Sequence, residues 1–231
     1  MLKRFSRRFR LIRASVLRMP AGWRRVPRRF LAEPPEKVAP QLLGKILASR
    51  TESGWLAGRI VEVEAYFGPH VTDPPDPAAH SFRGVTDRNR VMFGAPGHAY
   101  VYFIYGMYYC VNVTCEPEGM AGCILIRGLE PLLGREAMAA NRGLSVDAPG
   151  PKLTAGPGIL CQALGLTRAA HNGLDLLDPA SLLQLRDDGF KTGAIEITPR
   201  IGIRLAAELP LRFALARHPC VSHSRTQKTT M

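Results

Sequence analysis

The residues best suited to chemistry lie in two short runs. In Val61-Glu62-Val63-Glu64-Ala65-Tyr66, a strand period of two puts Val61, Val63 and Ala65 on one face and Glu62, Glu64 and Tyr66 on the other. Two carboxylates beside an aromatic ring make either a solvated edge face or a general base next to a stacking platform. Further on, five of the six tyrosines (Tyr100, Tyr102, Tyr105, Tyr108 and Tyr109) fall within ten residues. Tyrosine suits places where a large flat body must keep one polar end hydrogen-bonded. Alternation gives Tyr100 and Tyr102 a common face and leaves Tyr105 on the other, directly before Gly106. An aromatic ring at the tip of a glycine-turned hairpin serves a core poorly, but it could wedge between stacked bases. The alternative is a tyrosine-rich sheet face that packs a core.

Other polar candidates are less telling alone. Ala79-His80-Ser81 and Arg88-Asn89-Arg90 read as polar surface when taken singly. His70, His80 and His98 are ten and eighteen residues apart, which is not helical metal-ligand spacing, so zinc is not expected. The chain carries no P-loop, no GxGxxG and no GxSxG elbow. Five cysteines without a CxxC pair favour reduced core thiols over a disulfide framework.

Those residues need a scaffold, and composition bounds it. A chain of 231 residues, 46% hydrophobic and 22% charged, is globular and suits one domain. Its net charge of +12 would suggest a polyanionic partner. Yet residues 1–30 hold 11 Lys and Arg and no acid, leaving 20 basic and 19 acidic residues in the remainder. The cationic character belongs to an extension, residues 1–25, expected to be disordered. It reads as a nucleic-acid-binding arm, an organelle-type presequence, or the product of an upstream start codon with Met19 nearer the true one. Val91–Cys115 has no Asp, Glu, Lys or Arg, but its Pro, Gly, His and Asn make it too broken for a membrane span. No membrane association is expected.

The pattern along the chain predicts an α+β domain over 26–220, with a C-terminal tail over 221–231. The expected form is a single compact domain with a curved, mostly antiparallel sheet, surrounding helices and a protruding β-hairpin. A helix should open at Pro34-Pro35 and close at Gly44. Strands are expected over 45–50 and 55–66, followed by a proline-rich loop over 67–79. The hairpin should pair 98–105 with 108–114, followed by a strand over 123–129. A helix is expected over 131–142 with Pro131 in its first turn, a loop over 143–156, and a helix over 157–164. Short strands over 195–197, 200–203 and 211–216 complete the expectation.

Taken in order, the motifs say more than any one of them. Leu43-Gly44-Lys45, Arg59-Ile60-Val61-Glu62-Val63-Glu64-Ala65-Tyr66, Ala79-His80-Ser81 and Arg88-Asn89-Arg90-Val91-Met92-Phe93 run in series. Then follow Tyr100-Val101-Tyr102-Phe103-Ile104-Tyr105-Gly106-Met107-Tyr108-Tyr109-Cys110-Val111-Asn112, Leu125-Ile126-Arg127-Gly128-Leu129-Glu130-Pro131 and Gly156-Pro157-Gly158-Ile159-Leu160-Cys161-Gln162-Ala163-Leu164. Over about residues 27–217 the chain resembles the alkyladenine (3-methyladenine) DNA glycosylase family, the vertebrate-type family with bacterial members.

The resemblance implies hydrolytic excision of damaged purines (3-methyladenine, 7-methylguanine, and as further candidates hypoxanthine or ethenoadenine) from double-stranded DNA after base flipping. It implies no metal and no cofactor. Glu64 matches the general base, Arg127 the arginine that helps hold the water, and Ile201 the residue whose carbonyl completes the water site. Tyr66, His80 and Tyr102 match the walls that stack on the flipped base. Asn112 matches the residue that crowds the amino group of guanine, and Tyr105 the intercalating residue. Arg83, Arg88 and Arg90 are the candidate phosphate contacts. Family members commonly carry a basic residue where Ile159 stands, so one such contact is missing here. The few lysines outside the extension (Lys37, Lys45, Lys152, Lys191 and Lys228) lie outside the motifs of Glu64 and Arg127, which suits a monofunctional enzyme without lyase chemistry. The expectation is a monomer of the bacterial cytoplasm, associated with the nucleoid. The alternative is a catalytically inert damaged-DNA-binding protein of the same fold.

Overall fold

The computed structural model describes residues 19–52 and 54–222. Most of the basic extension, and the tail from 223 onward, lie outside the described residues. Among the described residues nine strands follow one another as β1 (Arg24–Arg25), β2 (Ile46–Thr51), β3 (Gly54–Tyr66), β4 (Ala99–Ile104), β5 (Tyr108–Cys115), β6 (Gly122–Leu133), β7 (Leu183–Asp187), β8 (Ile195–Thr198) and β9 (Arg212–Leu215). The described helices are α1 (Arg28–Leu31), α2 (Pro35–Leu42), α3 (Arg135–Asn141), α4 (Gly150–Thr154), α5 (Pro157–Ala163) and α6 (Arg168–His171), with a 3₁₀ turn over Arg90–Phe93. None of them is long and apolar enough to cross a membrane.

The nine strands form one sheet: seven follow the order β1-β7-β2-β3-β6-β5-β4, β9 branches from β3 and β8 pairs β9, and every strand pairing is antiparallel. The fold is α+β, as expected. Strand β3 is its spine. Its first half pairs β2, its second half pairs β9 over Glu62–Glu64, and β6 runs along its other edge. Twelve successive β3 residues are buried, so this strand is covered on both faces. That explains its long apolar run, and it means that Glu62 and Glu64 must find partners inside the protein.

Register shifts interrupt the β3–β6 pairing: Ile60 faces Leu129, Glu62 faces Gly128, and Val63 faces Ile126. Val61 on one strand and Arg127 on the other are therefore the extra residues of adjacent bulges. Bulges re-aim side chains and recur beside functional sites. Here they bring Arg127 to both acids of β3.

The core is formed by Val38 and Leu42 of α2, Ile60, Val61 and Val63 of β3, Ile124 and Ile126 of β6, and Leu160 and Cys161 of α5. Full burial of such an aliphatic side chain contributes about 1.5–3 kcal/mol. Helix α2 has Pro35 in its first turn, and α5 begins at Pro157 after Gly156. Both starts use the preset φ of proline at a position whose N–H would have no intrahelical acceptor. All five cysteines are buried and free.

The structure corrects several of these expectations. The strand expected over 123–129 continues as β6 to Leu133, and the helix expected from Pro131 begins only at Arg135. Pro131 pairs with Gly58 beside a register shift, a place where a missing N–H is tolerated in a sheet. The 143–156 loop contains α4, and residues 200–203 form a turn at Gly202 (φ +79°) instead of a strand. Finally, α1, α6 and β7 lie where the sequence pattern predicts no element, and β1 lies within the extension expected to be disordered. At the N-terminal end of the described chain, Arg24–Arg25 pairs Arg186–Asp187, and Met19 and Trp23 pack against Ile46, Trp55 and Ala57.

Candidate active site

The second half of β3 places Glu64 and Tyr66 where β6 and the β8–β9 connection converge. Glu64 is fully buried. Its Oε1 accepts the Ile201 backbone N–H at 2.7 Å and lies 3.2 Å from Arg127 Nη1. Its Oε2 accepts the Tyr66 hydroxyl at 2.9 Å. Two hydrogen bonds and one ion pair therefore hold this carboxylate. The structure brings together Glu64, Arg127 and Ile201, which the resemblance assigns to one water site. The resemblance assigns the Ile201 carbonyl there, and the Ile201 amide is the group that contacts Glu64.

Arg127 is itself enclosed. Burial alone would lower its pKa, but the Glu64 and Glu62 carboxylates raise it, so it stays a guanidinium. The Tyr66 hydroxyl is pushed far above the ordinary phenol value, first by burial and then by the Glu64 charge. It remains a donor.

Next to this cluster is a cavity of about 110 Å³, lined by Tyr66, Ala78, His80, Tyr100, Tyr102, Asn112, Cys123 and Ile203. It is well below the ~300–1,000 Å³ of a drug-sized ligand pocket, and half of its lining residues carry rings. This slot suits one flat heterocycle. Tyr100 and Tyr102 lie 5.3 Å apart between ring centroids, and His80 approaches Tyr102 at 4.5 Å. His80 Nδ1 is 2.9 Å from the Tyr100 hydroxyl. Although His80 keeps solvent exposure, partial burial and the Arg88 cation both lower its pKa. It is therefore neutral at pH 7. Asn112 Nδ2 donates to the Tyr100 carbonyl at 3.1 Å, and Cys123 Sγ approaches Asn112 Oδ1 at 3.8 Å. All four residues expected to bind a base, Tyr66, His80, Tyr102 and Asn112, line this one cavity.

The hairpin β4–β5 carries the remaining candidate. Tyr105 and Gly106 both have positive φ, 51° and 67°, forming the tight turn that matches the twist of the strands. Tyr105 is 82% exposed, and Phe103 and Met107 beside it are also exposed. Arg83, Arg88 and Arg90 are all exposed on the segment leading to the hairpin. Arg88 lies 5.5 Å above the Tyr102 ring, while the Arg90 charge is answered by Asp87 at 2.6 Å. Of the three, Arg88 alone reaches the cavity wall.

The chain matches the family of methylpurine-DNA glycosylases over residues 29–219. The chain belongs to this family. It is 51% identical over 202 residues to a protein of Koribacter versatilis, covering 87% of this chain and 94% of that relative. It is 50% identical over 190 residues to a protein of Rhodopseudomonas palustris, covering 81% and 85%. It is 44% identical over 200 residues to one from Methanocella arvoryzae, covering 85% and 95%. All three relatives carry the provisional name 3-methyladenine DNA glycosylase.

Within this family member, several residues of the site escaped sequence reasoning. Asp76 binds Arg200 through both carboxylate oxygens, at 2.7 and 2.8 Å, and both residues are buried. The Arg200 guanidinium lies 4.5 Å over the Tyr66 ring, and its Nη1 donates to the Ala65 carbonyl. The pair thus fixes the loop that brings Ile201 to Glu64. Asp76 lies within a proline-rich loop, and its partner is 124 residues away, so no local pattern marks it. Among the described residues, no group of three or more His, Cys, Asp and Glu is arranged to hold a metal ion.

Proposed function

We propose that this protein is a monofunctional purine DNA glycosylase that flips an alkylated or deaminated purine into the aromatic slot and hydrolyses its glycosidic bond. The observation that carries this reading is the Glu64 carboxylate, held by two hydrogen bonds and the Arg127 ion pair and joined through Tyr66 to a slot for one flat ring. In the proposed reaction, water adds to C1′ and gives a proton to Glu64, and the purine leaves with the glycosidic electron pair. Positive charge that develops on the sugar is offset by the ionised carboxylate. A 3-methyladenine or 7-methylguanine base is already cationic and leaves neutral. Its charge favours the faces of Tyr66 and Tyr102 and disfavours a protonated His80.

Among the described residues no lysine lines the slot, which supports hydrolysis by water over lyase chemistry through an amine. Tyr105 acts as the wedge that replaces the flipped nucleotide, and Arg83, Arg88 and Arg90 approach the phosphates. The protein acts as a monomer on duplex DNA.

The test is single-turnover excision from duplexes carrying one 7-methylguanine, hypoxanthine or ethenoadenine, with abasic sites revealed by alkali. Cleavage of at least one of them, lost in Glu64→Gln with lesion binding retained, is the expected result. Tight lesion binding without excision by the wild-type protein would instead identify an inert damage-binding protein.

A further inference from the structure

The second buried acid of β3 does not touch the slot, yet it gathers more donors than Glu64 does. Glu62 Oε1 accepts Arg127 Nε at 3.0 Å, Arg212 Nε at 2.7 Å and the Ser222 hydroxyl at 2.8 Å. Its Oε2 accepts the Ser222 backbone N–H at 2.6 Å. Three of the four donors converge on Oε1. Ser222 also faces the arginines: its Oγ receives Arg127 Nη2 at 3.3 Å, and its carbonyl receives Arg212 Nη2 at 3.1 Å. Its single hydroxyl proton points to Glu62, which leaves a lone pair of Oγ for Arg127.

The C-terminal segment has a prepared path to this point. A Cβ on Gly128 would lie 2.6 Å from the Cys220 carbonyl oxygen and 3.3 Å from Glu62 Cβ, so no other residue fits there without displacing the segment. Gly128 directly follows the bulged Arg127. The family match ends at residue 219, three residues short of Ser222.

We infer that Glu62 and Ser222 are positioning residues for the proposed glycosylase reaction, with Ser222 acting as a latch that the C-terminal segment closes over Arg127. The inference rests on the function proposed above. Arg127 reaches Glu64 through Nη1, Glu62 through Nε and Ser222 through Nη2, so its plane is fixed from three sides. Without Ser222 and Glu62, only the Glu64 contact remains, and the guanidinium can swing about it. Glu62 also balances charge: Glu62, Glu64, Arg127 and Arg212 form a neutral buried set. Removal of one acid leaves two cations competing for the other.

Two readouts on the full chain test this. The first is the ¹⁵N–¹H signal of Arg127 Nε, assigned by its loss in Arg127→Lys. It should be sharp and slow to exchange in the wild type, broadened in Ser222→Ala and lost in Ser222→Pro, which removes the N–H as well. The second is single-turnover excision. Ser222→Ala and Glu62→Gln should lower the rate by about 10–100-fold, the range expected when a reacting group is misplaced by an ångström, with lesion affinity unchanged. Ser222→Thr, which keeps the hydroxyl, should restore both readouts. An unchanged Arg127 signal in Ser222→Ala and Ser222→Pro would overturn the latch whether or not the protein excises bases. Excision at the wild-type rate by both Ser222→Ala and Glu62→Gln, while Glu64→Gln is inactive, would overturn it and leave the proposed function standing.

Discussion

The Tyr66 hydroxyl donates to Glu64 Oε2 at 2.9 Å while its ring forms one wall of the aromatic slot. One side chain therefore touches both the group proposed to activate water and the space proposed for the base. The two tasks are separable by substitution. In Tyr66→Phe the ring remains and the donor to the carboxylate is lost. A hydrogen bond to a charged group contributes about 1.5–3 kcal/mol, so single-turnover excision is expected to fall ~10–100-fold. Equilibrium binding to lesion DNA should stay within about twofold. A matching drop in affinity would mean that the hydroxyl serves the base and not Glu64.

The neutral state of His80 sets an acid limit. Burial and the Arg88 cation hold its pKa below the ordinary value of 6.5, so the ring stays uncharged as pH falls through 6.5 and is protonated only below that. A protonated ring would repel a cationic base. Excision of 7-methylguanine should therefore hold constant from pH 7.5 to 6.5 and decline further down. Arg88→Gln removes one of the two lowering influences, so its acid limb should move to higher pH. A limb displaced downward, or left in place, would remove His80 from that role.

How far the sequence alone revealed this arrangement depended on the range of the interaction. The β3 alternation, the hairpin ending at Tyr105-Gly106, and the helices opened by Pro35 and Pro157 are set by neighbours in the chain, and they were legible. Pro131 misled because proline at a first helical turn and proline beside a β-bulge look alike until the partner strand is known. Arg200–Ile203 alternates like a strand, but the Asp76–Arg200 pair and the positive φ of Gly202 hold it as a turn. The acids of β3 were visible, whereas their burial was not. A solvated Glu-x-Glu face and one closed by Arg127, Arg212 and Ser222 share the same local sequence, since those partners lie 65, 150 and 160 residues from Glu62.

At the hairpin tip, Tyr105 is too exposed to stabilise the fold. Tyr105→Ala should leave the thermal midpoint within about 2 °C, since surface substitutions usually fall within ±0.5 kcal/mol. Its effect should appear only with duplex substrate, where a vacated stack must be filled. Excision from a lesion-bearing duplex is expected to fall at least ~10-fold relative to the same lesion in a single strand, for unstacking costs a few kcal/mol only where a stack exists. Equal losses on both substrates would assign Tyr105 to general contact instead of wedging.

The Asp76–Arg200 pair offers the sharpest separation of stability from chemistry. Both residues are buried, and two hydrogen bonds join them. Asp76→Asn keeps the shape but leaves the guanidinium without its counter-charge, and breaking a buried pair from one side costs about 3–5 kcal/mol. For a chain of this size that corresponds to a fall of roughly 6–20 °C in thermal midpoint. Arg200 also stacks on Tyr66, and the next residue supplies the Ile201 amide to Glu64. Excision measured well below the lowered midpoint should therefore fall as well, by about as much as in Tyr66→Phe. A variant with a lowered midpoint and full excision at low temperature would show that the pair supports the fold alone and that Ile201 reaches Glu64 without it.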